Sequence, residues 1–379
     1  MRRICCFCET WESGGIESFL TNVLLHADLA ETEVDIAAAC IRDSVFTDAL
    51  EEKGVRFREL TGRLRSPENF AVFRALLRER RYDAVHFNLF QGLSLYYVRI
   101  AAEEGVPVRI AHSHNTALRR SRGRSLKLLL HRGGRALFTD AATELWACSE
   151  DAARFLFAGG SLRTRGYTFI PNGIETQRFR FDPALRAAAR GELNAGDALV
   201  IGSIGRLCSQ KNQTFLLDVF AEVLKRRADS LLLLVGEGEQ ETALREKVRR
   251  LGVSDKVIFY GVTGCVERLL CAMDIFAFPS LFEGLGIVAV EAQASGLPVI
   301  ASEHVPREVY VTGEAQPLAL AAGAAVWAEQ LLAAEPPEDR AAAADAVRAA
   351  GFDIADTTRK VERGYGMQRC LLRVPEETT

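Results

Sequence analysis

The sequence predicts an α/β protein of two doubly wound, parallel-sheet domains facing each other across a cleft. Three observations predict it. Short apolar runs, often β-branched, alternate with helical patterns, and strands apolar throughout belong in a sheet covered on both faces. The alternation pauses once, at PNGIETQRFRFDP and the NAGD that follows, and then restarts. The 379 residues favour two domains over one, at roughly 100–200 residues per domain.

In the first half the expected strands are ICCFC, EVDIAAACI, VRFREL, DAVHFNL, VRIAHSH, ELWACS and YTFIP. Helical patterns such as IESFLTNVLLHADL, NFAVFRALLRERR and LSLYYVRIAAEEG lie between them. The second half repeats the scheme with ALVIGSIGRL, a helix over Gln213–Arg227, SLLLLVGEG, a helix over Glu239–Leu251, KVIFYG, DIFAFPS, a helix over Gly286–Ser295, and PVIAS. The domains are expected at residues 1–172 and 173–354, with an Ala-rich, solvent-covering helical tail from 319 to 350 and a last helical segment beyond it. Ligands of open α/β sheets bind at the carboxyl ends of the strands.

A net charge of −3 exerts no overall pull toward nucleic acid. No apolar run reaches the ~18–20 uncharged residues of a membrane span, and the amino-terminal apolar stretch is short for a secretory signal, so a cytoplasmic protein is expected. Of the nine cysteines, Cys5, Cys6 and Cys8 sit in one short apolar run and the others are scattered without paired C-x-x-C spacing, so they read as small buried hydrophobes, with no metal site.

Four motifs carry chemistry. Gly14 and Gly15 precede a helix whose amino terminus suits a phosphate or a sugar hydroxyl, although a ligand-free turn explains two glycines as well. In IGRLCSQKN, Arg206 and Lys211 can clamp a diphosphate and stabilise its departing charge, or stand as solvated loop cations. In EGLGIVAVE, Glu283 sits in a loop and Glu291 on the helix behind it, placed for sugar hydroxyls and a ribose, with Gly284 and Gly286 leaving backbone N–H groups free; the bland reading is a helix-dipole acid and a solvated glutamate. The stretch LRRSRGRSLKLLLHRGGR, with Arg119, Arg120, Arg122, Arg124 and Lys127, is a basic helix that suits an anionic membrane surface or plain solvent, without the aromatic platform of a nucleic-acid reader.

EGLGIVAVEAQASGLPVIAS, IGRLCSQKN, LLLVGEGE, KVIFYG, MDIFAFPS, GGIESFLTNVL and FIPNGI together resemble the GT-B retaining glycosyltransferases of family four. RIAHSHNT and ACSEDAARFLF extend the likeness to bacterial exopolysaccharide and capsule enzymes, collinearly over residues 1 to about 310. The resemblance implies two Rossmann-like domains, the first binding the acceptor, the second the donor, with the carboxy-terminal helix (about 355–379) packing back on the first. It implies that Arg206 and Lys211 bind the diphosphate, Glu291 the ribose and Glu283 the transferred sugar. Gly14 and Gly15 would face phosphates and acceptor, and His114 the sugar, while His112 and His86 read as structural. Gly205, Asn212, Leu285 and Ile287 complete the donor loops, and Gly261 and Val262 would meet the base, UDP by analogy.

The expected reaction is metal-independent, front-face transfer of a hexosyl unit to a saccharide acceptor, a polyprenyl-diphosphate-linked one being a candidate, with no cofactor. An epimerase and a noncatalytic partner subunit are the competing readings. A nicotinamide dehydrogenase is disfavoured because no G-x-G-x-x-G is complete. Two departures stand out: Leu285 replaces the phenylalanine of many relatives, and Cys208 in the phosphate loop offers a route to oxidation.

Overall fold

The structure, a computed structural model, describes residues 1–12, 14–42, 44–61, 63–118 and 124–367. The first sheet holds β1 (Arg2–Cys8), β2 (Thr32–Ala38), β3 (Arg56–Glu59), β4 (Ala84–Leu89), β5 (Val108–Ser113), β6 (Glu144–Ala147) and β7 (Thr168–Phe169) in the order β3-β2-β1-β4-β5-β6-β7. The second holds β8 (Leu199–Ile204), β9 (Ser230–Val235), β10 (Val257–Gly261), β11 (Ile275–Phe278), β12 (Val299–Ser302) and β13 (Ala315–Leu318) in the order β10-β9-β8-β11-β12-β13. Every strand pairing is parallel. Both sheets reverse their winding beside the first strand, between β1 and β4 and between β8 and β11, which opens a crevice at each switch point.

The strands are apolar throughout because both of their faces are covered. On β1, Ile4, Cys6 and Cys8 join Ile16, Phe19 and Leu20 of the helix Gly15–His26 in one core cluster. Cys5 and Phe7 join Phe73 and Tyr97 in the other. Burial pushes the Cys6 thiol up to about 12, so it packs as a neutral hydrophobe. Strand β13, AQPL, carries no apolar run: it pairs on one side only, with β12, and is half-buried to exposed along its length.

The chain passes between the domains twice at one place. Ile174 N–H donates to Phe352 O at 2.8 Å and Ile354 N–H donates to Ile174 O at 2.8 Å. Thr176 Oγ1–H donates to Asp353 Oδ2 at 2.5 Å, while the other oxygen of Asp353 caps the helix Ile354–Gly364 by accepting from Ala355 N–H at 3.0 Å. That helix lies on the first domain, where Ile354, Val361 and Tyr365 enter the core cluster of Ile4 and Cys6. Tyr365 Oη bonds His86 Nδ1 at 2.7 Å, and Arg2 donates to the Tyr365 carbonyl at 2.7 Å. Replacing Tyr365 with alanine removes a fully packed ring and leaves Nδ1 of the buried His86 imidazole without its partner. The expected cost is about 3–5 kcal/mol, read as a lower calorimetric transition of the first domain with the second unchanged.

Candidate active site between the two sheets

The loops that leave the two switch points meet around a cavity of about 370 Å³. On the second domain's side, Gly205 follows β8 at φ 143°, a conformation that favours glycine, and a Cβ there would press on Lys211 Cε at 3.0 Å. Gly286, at φ 90°, starts the helix Ile287–Ala294 without a side-chain cap, so its first N–H groups remain open toward the cavity. On the first domain's side, Gly15 opens the helix Gly15–His26, and a Cβ added there would meet empty space.

The walls touch below the cavity. Thr116 Oγ1–H donates to Glu283 O and Ser149 Oγ–H to Gly284 O, each at 2.7 Å, and Cys148 Sγ reaches Gly284 O at 3.4 Å. A side chain at Gly284 would overlap the His114 carbonyl, so glycine is what allows the contact.

Lys211 Nζ pairs with Glu283 Oε1 at 2.7 Å and stands 4.7 Å from the centre of the Phe278 ring. Gln210 Nε2 donates to the other Glu283 oxygen at 3.3 Å and to Phe282 O at 3.0 Å. Glu291 lines the same cavity, and burial pushes its carboxyl up to about 7 against the opposing pull of Arg178 and Lys211. His114 borders the cavity from the first domain; burial depresses its ring to about 3, so it is a neutral imidazole.

Of the residues singled out in the sequence, the structure brings Gly15, His114, Gly205, Lys211, Glu283, Gly284, Leu285, Gly286, Ile287 and Glu291 to this one cavity. Gly14, Arg206, Asn212, Gly261 and Val262 are not among its lining residues. Arg206 points away and pairs with Glu239 at 3.1 Å, its side chain 62% exposed. Asn212 precedes the helix Gln213–Arg226 at φ 55°, Gly261 pairs its backbone with Gly236, and Val262 is exposed. Cys208, expected to be open to oxidation, is buried, which denies oxidants access to the thiol. Phe90, Asn115, Cys148, Asn172 and Gln210 join the lining. All but Phe90 lay in stretches already quoted, Asn115 in RIAHSHNT, Cys148 in ACSEDAARFLF, Asn172 in FIPNGI and Gln210 in IGRLCSQKN, and proximity to those motifs was their only signal.

Arg119, Arg120 and Arg122 lie outside the described residues. Arg124 begins, and Lys127 follows in, the helix Arg124–Phe138, which is turned inside out. Leu126, Leu129, Leu130 and Leu137, on one helical face, are 62%, 66%, 41% and 73% exposed. Polar His131 and Arg135 face the protein instead, bonding Gly92 N–H, Phe155 O and Arg154 O.

Two parallel sheets with facing switch points, and a cation and acids converging between them, define a GT-B glycosyltransferase. Residues 14–173 match the model of the glycosyl transferase 4-like domain and residues 198–348 that of glycosyl transferases group 1. The chain is 33% identical over 329 residues to a putative glycosyltransferase, EpsF, of Bacillus subtilis, covering 84% of each chain. It is 30% identical over 301 residues, 76% of each chain, to a GDP-mannose-dependent phosphatidylinositol monomannoside mannosyltransferase of Mycobacterium tuberculosis. The fold matches the crystal structure of Anabaena HepE in complex with UDP at a TM-score of 0.76 and 20% identity, over 97% of this chain and 100% of that one. The chain belongs to the family-four glycosyltransferases and is an enzyme of that class.

The Lys211–Glu283 pair is mostly out of water, with side chains 18% and 7% exposed. Lys211→Ala leaves a buried carboxylate with Gln210 alone, and is expected to cost about 2–3 kcal/mol in denaturant unfolding. The double variant Lys211→Ala/Glu283→Gln is expected to recover more than half of that; equal losses in the two would exclude the pair as the source.

Proposed function

We propose that this enzyme moves a hexosyl unit from a nucleotide diphosphate sugar, UDP being the preferred base, to a lipid-linked saccharide in exopolysaccharide or capsule assembly. The observation that carries the reading is the convergence of Lys211, Glu283, Glu291 and His114, from opposing domains, on one cavity. The incoming diphosphate takes over the Lys211 ammonium, which frees Glu283 to accept hydrogen bonds from the sugar. Glu291 accepts those of the ribose. Arg206 swings in from Glu239 at little cost, since an exposed ion pair is worth about 0–1 kcal/mol.

The reaction we propose is front-face, with retention. As the sugar–diphosphate bond breaks, the leaving oxygen takes the proton of the acceptor hydroxyl, which forms the new bond from the same side. Lys211 and Arg206 hold the charge gathering on the diphosphate, and no metal is assigned a role.

Nucleotide binding tests the donor half. Ribose hydroxyls bind the ionised form of Glu291, so a carboxyl near 7 in the free enzyme must lose its proton on binding. Calorimetric affinity for UDP is expected to rise by up to about tenfold between pH 6 and pH 8 beyond whatever rise Glu291→Gln shows. In the Glu291→Gln variant, the rise that remains belongs to the nucleotide's own phosphates. Tighter binding of GDP would reassign the base, and no binding of either nucleotide would overturn the donor site.

For the acceptor half, we propose that the outward leucines of the helix Arg124–Phe138 lie in the surface of an anionic bilayer on its cytoplasmic face, with Lys127 and Arg132 near the headgroups. Burying four leucines in lipid gives the energy of attachment, and nearby cations add about 1 kcal/mol each. Changing Leu126, Leu129, Leu130 and Leu137 to serine is expected to abolish sedimentation with phosphatidylglycerol vesicles while leaving UDP affinity unchanged. Unaltered sedimentation would remove this surface from the reading.

A further inference from the structure

Asn88, the penultimate residue of β4, is fully buried and was not singled out in the sequence. Its amide group has one sensible orientation. Nδ2 lies 3.4 Å from Phe7 O and 3.4 Å from His86 O, so it is the donor; turned over, the amide oxygen would face two carbonyl oxygens. Oδ1 is therefore the acceptor, and it stands 2.9 Å from His114 Nε2. The imidazole must carry its hydrogen on Nε2, and Nδ1 is left with a bare lone pair. Nδ1 is buried without a hydrogen-bond partner among the described residues, on a side chain that borders the cleft cavity.

The ring is also fixed in place. It packs against His112, tilted by 41° with centroids 3.9 Å apart, and lies 5.3 Å from the Phe19 ring. His112 is itself held by His86, Nδ1 to Nε2 at 3.0 Å. The titratable groups around His114 are His112 and His86 behind it and Cys148, Lys211, Glu283 and Glu291 around the cavity. Nε2 meets the uncharged amide of Asn88, so burial keeps the ring neutral while that amide sets its tautomer.

We propose that Asn88 is a positioning residue for His114: it locks the Nε2–H tautomer, so that Nδ1 meets the cleft as a hydrogen-bond acceptor selecting a hydroxyl of the carbohydrate over an ionised phosphate oxygen. An ionised phosphate oxygen has no hydrogen to give and is repelled by the lone pair, whereas a sugar hydroxyl supplies one. The choice of ligand rests on the transferase reading; the tautomer does not.

The experiment is nitrogen-15 NMR of the histidine-labelled full chain without ligand, from pH 5 to 9, with His114→Gln for assignment. The wild type is expected to show a bare Nδ1, a protonated Nε2 and no titration down to pH 5. Asn88→Asp keeps the tautomer but places a carboxylate beside the ring, so the His114 midpoint is expected to rise by about one pH unit or more. Asn88→Leu removes the acceptor, and Nδ1–H is expected to appear. A wild-type Nδ1–H, an unmoved midpoint in the aspartate variant, or a wild-type tautomer in the leucine variant would overturn the positioning role. The aspartate variant preserves the test should the leucine variant fail to fold. A shift of Nδ1 with UDP-glucose and not with UDP supports the hydroxyl assignment; a shift with both, or with neither, overturns it. Failure of the transferase reading would show separately, as absent nucleotide binding by calorimetry.

Discussion

The cleft depends on one short contact, the carbonyls of Glu283 and Gly284 held by side chains of the opposite domain. A backbone carbonyl is a fixed acceptor, and Thr116 and Ser149 supply donors at 2.7 Å from loops that each end a strand of the first sheet. Because Gly284 has no side chain, the main chains can close on one another, and that closure puts Lys211, Glu283 and Glu291 within one cavity's width of His114. A larger residue at this position would separate the walls before it disturbed any reacting group.

The electrostatics of the free enzyme follow from the same closure. Excluding water strengthens the Lys211–Glu283 attraction and penalises Glu291, whose burial outweighs the pull of Arg178 and Lys211. One acid is thus neutralised by a cation and the other in part by a proton. An incoming diphosphate meets an ammonium already desolvated and held by an exchangeable partner, not one wrapped in water.

Most of the fold was readable because burial on both faces leaves a dense apolar signal. The strands from ICCFC to PVIAS all formed, and β13 was missed because an edge strand with a proline needs no such run. The resemblance implied a carboxy-terminal helix over about 355–379 packing on the first domain; in the structure Ile354 and Val361 of the helix Ile354–Gly364, and Tyr365 just after it, share a core cluster with Ile4 and Cys6. Site residues were readable where loop chemistry is written locally, as with Lys211, Glu283 and Glu291. Asn88 and Thr116 escaped because their partners are distant in sequence: Asn88 meets His114 only through the pairing of β4 with β5, and Thr116 meets Glu283 only across the cleft. Arg206 shows the converse, since a motif can name a side chain without saying which way it points in the absence of its ligand.

The paired passage of the chain at Ile174 and Asp353 has a mechanical meaning. Two covalent crossings fastened to each other by backbone hydrogen bonds act as a single pivot, not as two separate tethers. Sliding or twisting one sheet past the other would have to break that small ladder, whereas rocking about it does not. The softest motion left to the molecule is therefore a jaw-like swing, with the pivot as its fulcrum and the carbonyls of Glu283 and Gly284 as the point where the jaws meet.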